Sequence, residues 1–435
     1  MTRYVLAGFL LNALVLGALT LPAALHPVAA QTAPAAQRPS APQPAQGPGG
    51  LQAPQRPSGP PPEAVDLEGG ENLPPPRTDE EVPALTPEAA SGMIKPLPPE
   101  LPDRTKELLG DTTIILDIPL RQIPNYRDEM RKLVEDLGIY ARQRDPKFTL
   151  ITFGGFDLLT WSQREFELAE IKRPDVEKTM GDSMTPVGYP MRRFMQQVSG
   201  VMLDGFFCAP LRVPQADVTA MRAENVKILA IDHCPAELAP GAFVAAARSG
   251  VVAHVDADFD MPMDKRFATI PEMRPIPENS GSVENMSQAK NMLINLNSRR
   301  FGSREAWLAA LGKLNHDVLV LDPFFNGNQA LTKEEIRRLK FKALGSRRLV
   351  MAWLDVGHAS DDSYYWQRDW KVGNPSWVVA FDRSMEGAYH VEFWNPAWKA
   401  IIGKGFAGFM DLGFDGIVLS GVEGYRRWEA MTPIN

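Results

Sequence analysis

The chain has 435 residues, 46 Lys and Arg against 53 Asp and Glu, a net charge of −7, and 44% hydrophobic residues. An acidic balance without basic clusters speaks against a phosphate-backbone partner, so no nucleic acid is expected. The length allows a large buried core, and two cysteines are too few for a zinc ribbon or a disulfide-framed miniature fold.

In chain order, Arg3 precedes an uncharged stretch from Tyr4 to Leu21, then Pro22 and "HPVAAQ". Small residues at Val28 and Ala30 suit a signal peptidase, which predicts a signal peptide over residues 1–30 and an exported protein, periplasmic or extracellular. The alternative is an uncleaved anchor, because Val5 to Leu21 is nearly long enough to span a bilayer. No later segment is long and apolar enough to cross one. Residues 31–104 carry nearly half of the chain's 39 prolines among Ala, Gln, Gly and Ser. Such a stretch cannot bury enough apolar surface to offset the entropy of ordering it, which predicts a disordered proline-rich linker.

Globular composition begins at about Thr105, leaving one folded domain over residues 105–435. Eight β-branched or aliphatic runs recur: "FTLITF", "GVMLDGFF", "VKILAID", "VVAHVDA", "NMLINLN", "DVLVLDPFF", "RRLVMAWLD" and "DGIVLSGV". Helical patterns separate most of them. "NYRDEMRKLVEDLGIYARQRDP" places Met130, Leu133, Val134 and Leu137 on one face and stops at Pro146. "SREAWLAALGKL" starts at a good cap, Ser303. "LTKEEIRRLKFKAL" begins with a capping box, Thr332 to Glu335, and carries Ile336, Leu339 and Leu344 along one side. Strands that are apolar almost throughout are buried on both faces, as in a parallel sheet under helices. The expected fold is therefore α/β, a single (β/α)8 TIM-type barrel. An open doubly wound sheet is the alternative, but no glycine-rich phosphate loop follows the first strand.

Cys208 and Cys234 end consecutive strands, so a disulfide and two free buried thiols both remain open. In a barrel, polar residues at strand C-termini face a common mouth. The chain offers Asp204, Asp232, His233, His254, Asp256, Asn295, Asn297, Asp322, Asp355, His358, Ser420 and Glu423 there. His233, His254 and His358 with Asp232 and Asp256 could ligate a metal, but only "HVD" has ligand-like spacing, so neither metal nor cofactor is expected. No strand–Ser–helix elbow points to a nucleophilic serine.

The segments "MSQAKNMLINLNSRRFGSREAWLAALGKLNHDVLVLDPFF", "ALTKEEIRRLK", "GSRRLVMAWLDVGHASDDSYYWQRDW" and "GFDGIVLSGVEGYRRWE" resemble the endo-α-1,4-polygalactosaminidase-like glycoside hydrolases. The likeness is to their bacterial and archaeal extracellular branch, sometimes labelled cysteinyl-tRNA-synthetase-related, although no nucleotide loop is present. "YRDEMRKLVEDLGIYARQRDPKFTLITFGGFDLL" resembles the start of the same domain, so the likeness runs from about Pro124 to Glu429. It implies a (β/α)8 barrel acting on a galactosamine-containing polysaccharide. Three departures stand out. Where the family carries Gln-Asn-Gly-Glu-like, Gly-Glu-Ala-Glu and Leu-Asp stretches after strands one, seven and eight, this chain has Phe153-Gly-Gly-Phe156, Gly357-His-Ala-Ser360 and Leu419-Ser420. The acid closing the sixth strand matches, as Asp322.

Glycoside hydrolysis needs one protonated and one ionised carboxyl group. Asp322, Asp355 and Glu423 are the candidate catalytic carboxylates. His358, Ser420, Asp204, Asn297, Trp366, Trp370 and Tyr425 are the candidate substrate contacts, the loop tryptophans (with Trp377) because sugar C–H faces stack on indoles. Trp353, Trp394 and Trp398 are assigned to packing. Two functions stay in play: an exported hydrolase of an amino-sugar polymer, or a catalytically degenerate barrel that binds carbohydrate without cutting it.

Overall fold

The computed structural model describes residues 115–174, 184–208, 215–235, 237–256, 258, 260–261 and 266–434. The expected signal peptide and proline-rich linker lie outside these residues. No helix among the described residues is long and apolar enough to cross a membrane.

The first helix, α1 (Tyr126–Arg144), opens at Asn125, whose side chain accepts from the Asp128 N–H, and buries Met130, Leu133, Val134 and Leu137 as its spacing predicts. Strand β1 (Thr149–Phe153), α2 (Gln163–Lys172) and α3 (Arg192–Gln197) follow. Next come β2 (Gly200–Asp204), α4 (Gln215–Ala223), β3 (Lys227–Asp232), α5 (Ala239–Ser249) and β4 (Val252–Val255). Between β4 and β5 (Met292–Asn295), the described residues hold only a single 3-10 turn, Met286–Gln288. The chain continues through α6 (Arg304–Gly312), β6 (Val318–Leu321), a small hairpin of β7 (Phe324–Phe325) and β8 (Gln329–Ala330), and α7 (Lys333–Leu339). Ser303 and the Thr332–Glu335 capping box start α6 and α7 as read from sequence. Leu344 is a correction: it lies beyond α7 and is 56% exposed, because the helix stops at Leu339 rather than running on to it.

After β9 (Leu349–Asp355), three short strands form an antiparallel sheet of their own: β10 (His358–Ser360), β11 (Val378–Phe381) and β12 (Ala388–Val391). Helix α8 (Pro396–Leu412), β13 (Gly416–Ser420) and α9 (Tyr425–Met431) close the chain.

Eight strands form one sheet in the order β4-β3-β2-β1-β13-β9-β6-β5, every pairing parallel. The two end strands lie side by side, and the Ile294 N–H of β5 donates to His254 Nδ1 of β4 at 3.5 Å. The sheet is thus a nearly closed parallel barrel of the TIM type, built from the eight apolar runs of the sequence. Burial pushes His254 down to about 4, so its ring is neutral and can accept across the seam.

Alternation divides the strand side chains. Ile151, Met202, Leu229, Ile294, Val320, Met351 and Val418 fill the inside. Leu150, Val201, Ala230, Leu293, Leu319, Val350 and Ile417 join the outer core with the helices, among them the fully buried Trp307 and Trp398. Parity extends to the strand tips, where Asp204, His233, Asp256, Asp322, Asp355 and Ser420 continue the inward set, whereas Asp232 and Asn295 continue the outward one.

Cys208 and Cys234 are joined, with their Cα atoms 5.5 Å apart, tying the tip of β2 to that of β3. With the partners 26 positions apart in sequence, closing this loop removes about 3–4 kcal/mol of denatured-state entropy in the chain-entropy account. Reduction, or the Cys208→Ser and Cys234→Ser pair, is expected to lower the denaturation midpoint accordingly in urea titrations monitored by tryptophan fluorescence.

Candidate functional site

The inward tips form two polar groups with Asp322 beside the second. The first belongs to β2–β4. His233 Nε2 lies 2.6 Å from Asp204 Oδ1, and its Nδ1 lies 3.5 Å from Asp256 Oδ2. Arg266 donates to the same Asp256 oxygen through Nε (2.9 Å) and Nη2 (2.6 Å). Bonds to Asp204 and Asp256 raise His233 to about 9, against burial and the Arg266 guanidinium, whose Nη2 lies 3.0 Å from Nδ1. Burial pushes Asp256 up, but His233 and Arg266 outweigh it and hold the carboxyl at about 2.

Asp232 does different work. Its Oδ1 accepts from the backbone N–H groups of Phe206, Phe207 and Cys208 at 2.7, 2.7 and 3.2 Å, fixing the loop after β2. Asn295 is equally structural, donating to the carbonyls of Phe267 and Ala268 and accepting from Trp307 Nε1. Asn297 Oδ1 receives the Arg299 N–H in a local turn.

The second group is built on β9 and β13, which pair in register so that Ser420 stands opposite Asp355. Asp355 Oδ2 accepts from Ser420 Oγ at 3.0 Å. Its Oδ1 accepts from the Gly357 and His358 N–H groups at 2.9 and 2.7 Å, with His358 Nδ1 at 3.3 Å. Burial alone would raise this carboxyl, but His358 and the N–H donors hold it below the usual range. The run "LDVGHAS" therefore folds as a strand end whose Asp caps the turn into β10.

Two glycines permit that closeness. A Cβ on Gly357 would sit 2.1 Å from the Gly421 carbonyl oxygen, and one on Gly421 (φ +71°) would sit 2.2 Å from Asp355 Oδ1. Backbone meets backbone at Gly357, so no rotamer change relieves the clash. Gly357→Ala is expected to cost about 1–3 kcal/mol and to separate Asp355 from Ser420. Thermal melts, with a crystal structure of the variant, check both.

Asp322, at the tip of β6, has one hydrogen bond among the described residues, from the Phe324 N–H at 2.9 Å. Burial pushes its carboxyl up to about 7, with Asp362 adding to the rise and Phe324 and Arg299 only partly opposing it. Strands β6 and β9 are neighbours with Leu321 opposite Ala352. Continuing that register places Asp322 beside Trp353 and two residues short of Asp355, a Cα separation of about 8 Å.

Glu423 lies on the far side of β13. Its Oε1 accepts from the Gly155 N–H at 3.2 Å and from Arg426 Nη2 at 3.2 Å. Arg426 and Arg127 also hold Asp157, and Arg127 holds Glu429. The Tyr425 hydroxyl donates to Asp157 from a fully buried position. Glu423 and Tyr425 thus belong to an ion-pair network joining the loops after β1 and β13.

Trp366 and Trp370 sit beneath the small antiparallel sheet. Trp366 stacks on Tyr389 with centroids 4.7 Å apart and meets Trp370 edge-on at 5.4 Å; Trp370 meets Trp377, and Trp377 meets Trp398. The indoles run as a continuous series from the core toward the half-buried Trp366. Trp377 is nearly buried, so it packs rather than lines an open surface.

The small sheet also brings together residues that sequence spacing did not associate. His358 of β10 pairs across the sheet with His390 of β12, and Asp382 follows β11. Donor atoms of the three lie within 4.8 Å of one another. His390 falls inside an apolar run, "AYHVEF", and Asp382 follows an exposed Phe381. Only the antiparallel pairing makes them neighbours of His358.

No family model matches this chain. It is 26% identical over 176 residues to an uncharacterized protein of Methanocaldococcus jannaschii, covering 39% of this chain and 49% of that protein. It is 32% identical over 111 residues to an uncharacterized Deinococcus radiodurans protein, and 31% identical over 114 residues to one from Thermotoga maritima. Each of these last two matches covers 26% of this chain and 34% of the relative. The chain thus matches about a third to a half of the length of these curated relatives.

Proposed function

We propose that the barrel is an exported glycoside hydrolase acting on an amino-sugar polysaccharide, with Asp322 as proton donor and Asp355 as the ionised partner. The observation that carries this reading is the contrast in their surroundings. Asp355 receives bonds from two backbone N–H groups, a hydroxyl and an imidazole, all of which favour a carboxylate. Asp322 receives one N–H and is otherwise desolvated, which favours the acid. Two carboxyls on neighbouring strand tips whose environments push their ionisation apart make an acid–base pair. A Cα separation of about 8 Å is compatible with the roughly 5–9.5 Å carboxyl spacing of glycosidases. Asp322 would protonate the departing glycosidic oxygen, while Asp355 would stabilise or attack the sugar carbon, or activate water toward it. Glu423, tied to Arg426, would hold the β1 loop in place.

The second reading, a barrel that binds a glycan without cutting it, is favoured by Phe156, His358 and Ser420 standing where the resembled hydrolases carry acids. A reducing-end assay on purified protein with α-1,4-linked galactosamine polymers separates the two. Release that is lost in Asp322→Asn supports hydrolysis. Retention of the polymer without release, unchanged by that substitution, supports binding alone.

A further inference from the structure

We propose that His358, Asp382 and His390 form a divalent transition-metal site on the small sheet at the barrel mouth. This stands whether or not the barrel cleaves sugars. Asp382 is pinned through Oδ1, which accepts from the Ser384 N–H at 2.8 Å and its Oγ at 2.6 Å. That leaves Oδ2 facing both rings, 3.5 Å from His358 Nε2 and 3.9 Å from His390 Nε2.

His358 is held from behind, because its Nδ1 lies 3.3 Å from Asp355 Oδ1. With Nδ1–H directed at that carboxylate, Nε2 presents its lone pair to the site, the arrangement that orients metal-bound imidazoles in carboxylate–histidine–metal triads. His390 supplies a second, independent observation. Its side chain is only 9% exposed, its Nε2 faces Asp382 Oδ2 at 3.9 Å, and its ring packs beside that of His358 with centroids 5.0 Å apart.

The spacing suits an ion. Ligand bonds of about 2.0–2.2 Å in a tetrahedral site set donor atoms about 3.3 Å apart. His358 and Asp382 are already at 3.5 Å, and His390 needs only a small rotation to close. Two imidazoles and one carboxylate select zinc or another first-row ion over calcium or magnesium, which prefer oxygen ligands. Three protein ligands leave a fourth position for water or substrate, and the 17% exposure of the His358 side chain gives solvent a way to it. Arg427 also acts on Asp382 and on both rings, so an ion shares the carboxylate's field with that guanidinium.

The test uses the full chain stripped with chelator, then titrated with Zn²⁺ by calorimetry and with Co²⁺ by visible absorption. One equivalent is expected, with Kd below about 1 µM and an intense tetrahedral cobalt spectrum. His390→Asn and Asp382→Asn should each weaken binding at least about 100-fold, and Asp355→Asn, which weakens the support behind His358, about 10–100-fold. Circular dichroism of the metal-free variants separates loss of ligand from loss of fold, and His358→Gln serves if either variant unfolds. Binding by wild type that is weaker than about 100 µM, or that persists undiminished in folded His390→Asn or His358→Gln protein, overturns the site.

Discussion

Asp322→Asn is expected to lower hydrolysis of an amino-sugar polymer by about 10²–10⁴-fold, the usual worth of a positioned general acid. The pH dependence should change with it. A proton donor works only while protonated, and burial holds Asp322 protonated up to about 7. Wild-type turnover should therefore fall as pH rises through about 7, whereas the residual rate of the amide variant should show no limb there. An exposed carboxyl would titrate near 4 and leave the enzyme without its acid at neutral pH. Polymer binding should survive, because the amide keeps the shape of the side chain. A variant that retains wild-type turnover removes Asp322 from the mechanism.

The largest expected stability effect lies at the other end of the barrel. Lys342 and Asp317 are both wholly buried, with Nζ 2.6 Å from Oδ1. Lys342 also donates to the carbonyls of Asn279 (2.7 Å) and Gly281 (2.8 Å). Asp317 further accepts from the Lys290 N–H and the Asn279 amide. The pair thus staples the segment before β5 to the start of β6. Lys342→Ala strands the carboxylate and two carbonyls in a dry interior, at a cost of about 3–5 kcal/mol. For a domain this large that corresponds to a fall in Tm of about 6–10 °C. Adding Asp317→Leu to Lys342→Met should recover part of the loss by removing the isolated charge, but not all, since the Lys290 N–H then has no acceptor. Differential scanning calorimetry of the single and double variants measures both steps.

The barrel was legible because its strands are apolar on both faces, so "VLVL" or "LVMAWL" stands out without any help from pairing. Position at strand C-termini then carried the reading to Asp204, Asp322, Asp355 and Ser420 at the mouth. Parity also explains what residue type alone could not sort: Asp232 and Asn295 sit at equivalent tips but face outward, into loops and the Trp307 indole. The small sheet was harder to see. Its strands are three or four residues long, and "DDSYYWQRDWKVGNPSW" between two of them reads as a polar, aromatic loop. The cluster of His358, Asp382 and His390 depends on that pairing, so its members look unrelated in sequence. Glu423 and Tyr425 illustrate the converse. Both stand close to the β13 tip in sequence, yet Arg426 and Asp157 draw them into the network that fastens the loops.

The proposed hydrolysis depends on one partly buried carboxyl staying protonated beside an ionised neighbour at the mouth. The most direct measurement is a ¹³C NMR titration of the aspartate carboxyl carbons, with the Asp322 resonance assigned by its loss in Asp322→Asn. A midpoint near 7 for Asp322, with Asp355 ionised below the usual carboxylate range, is the predicted result. An Asp322 midpoint at an ordinary value near 4 would contradict it.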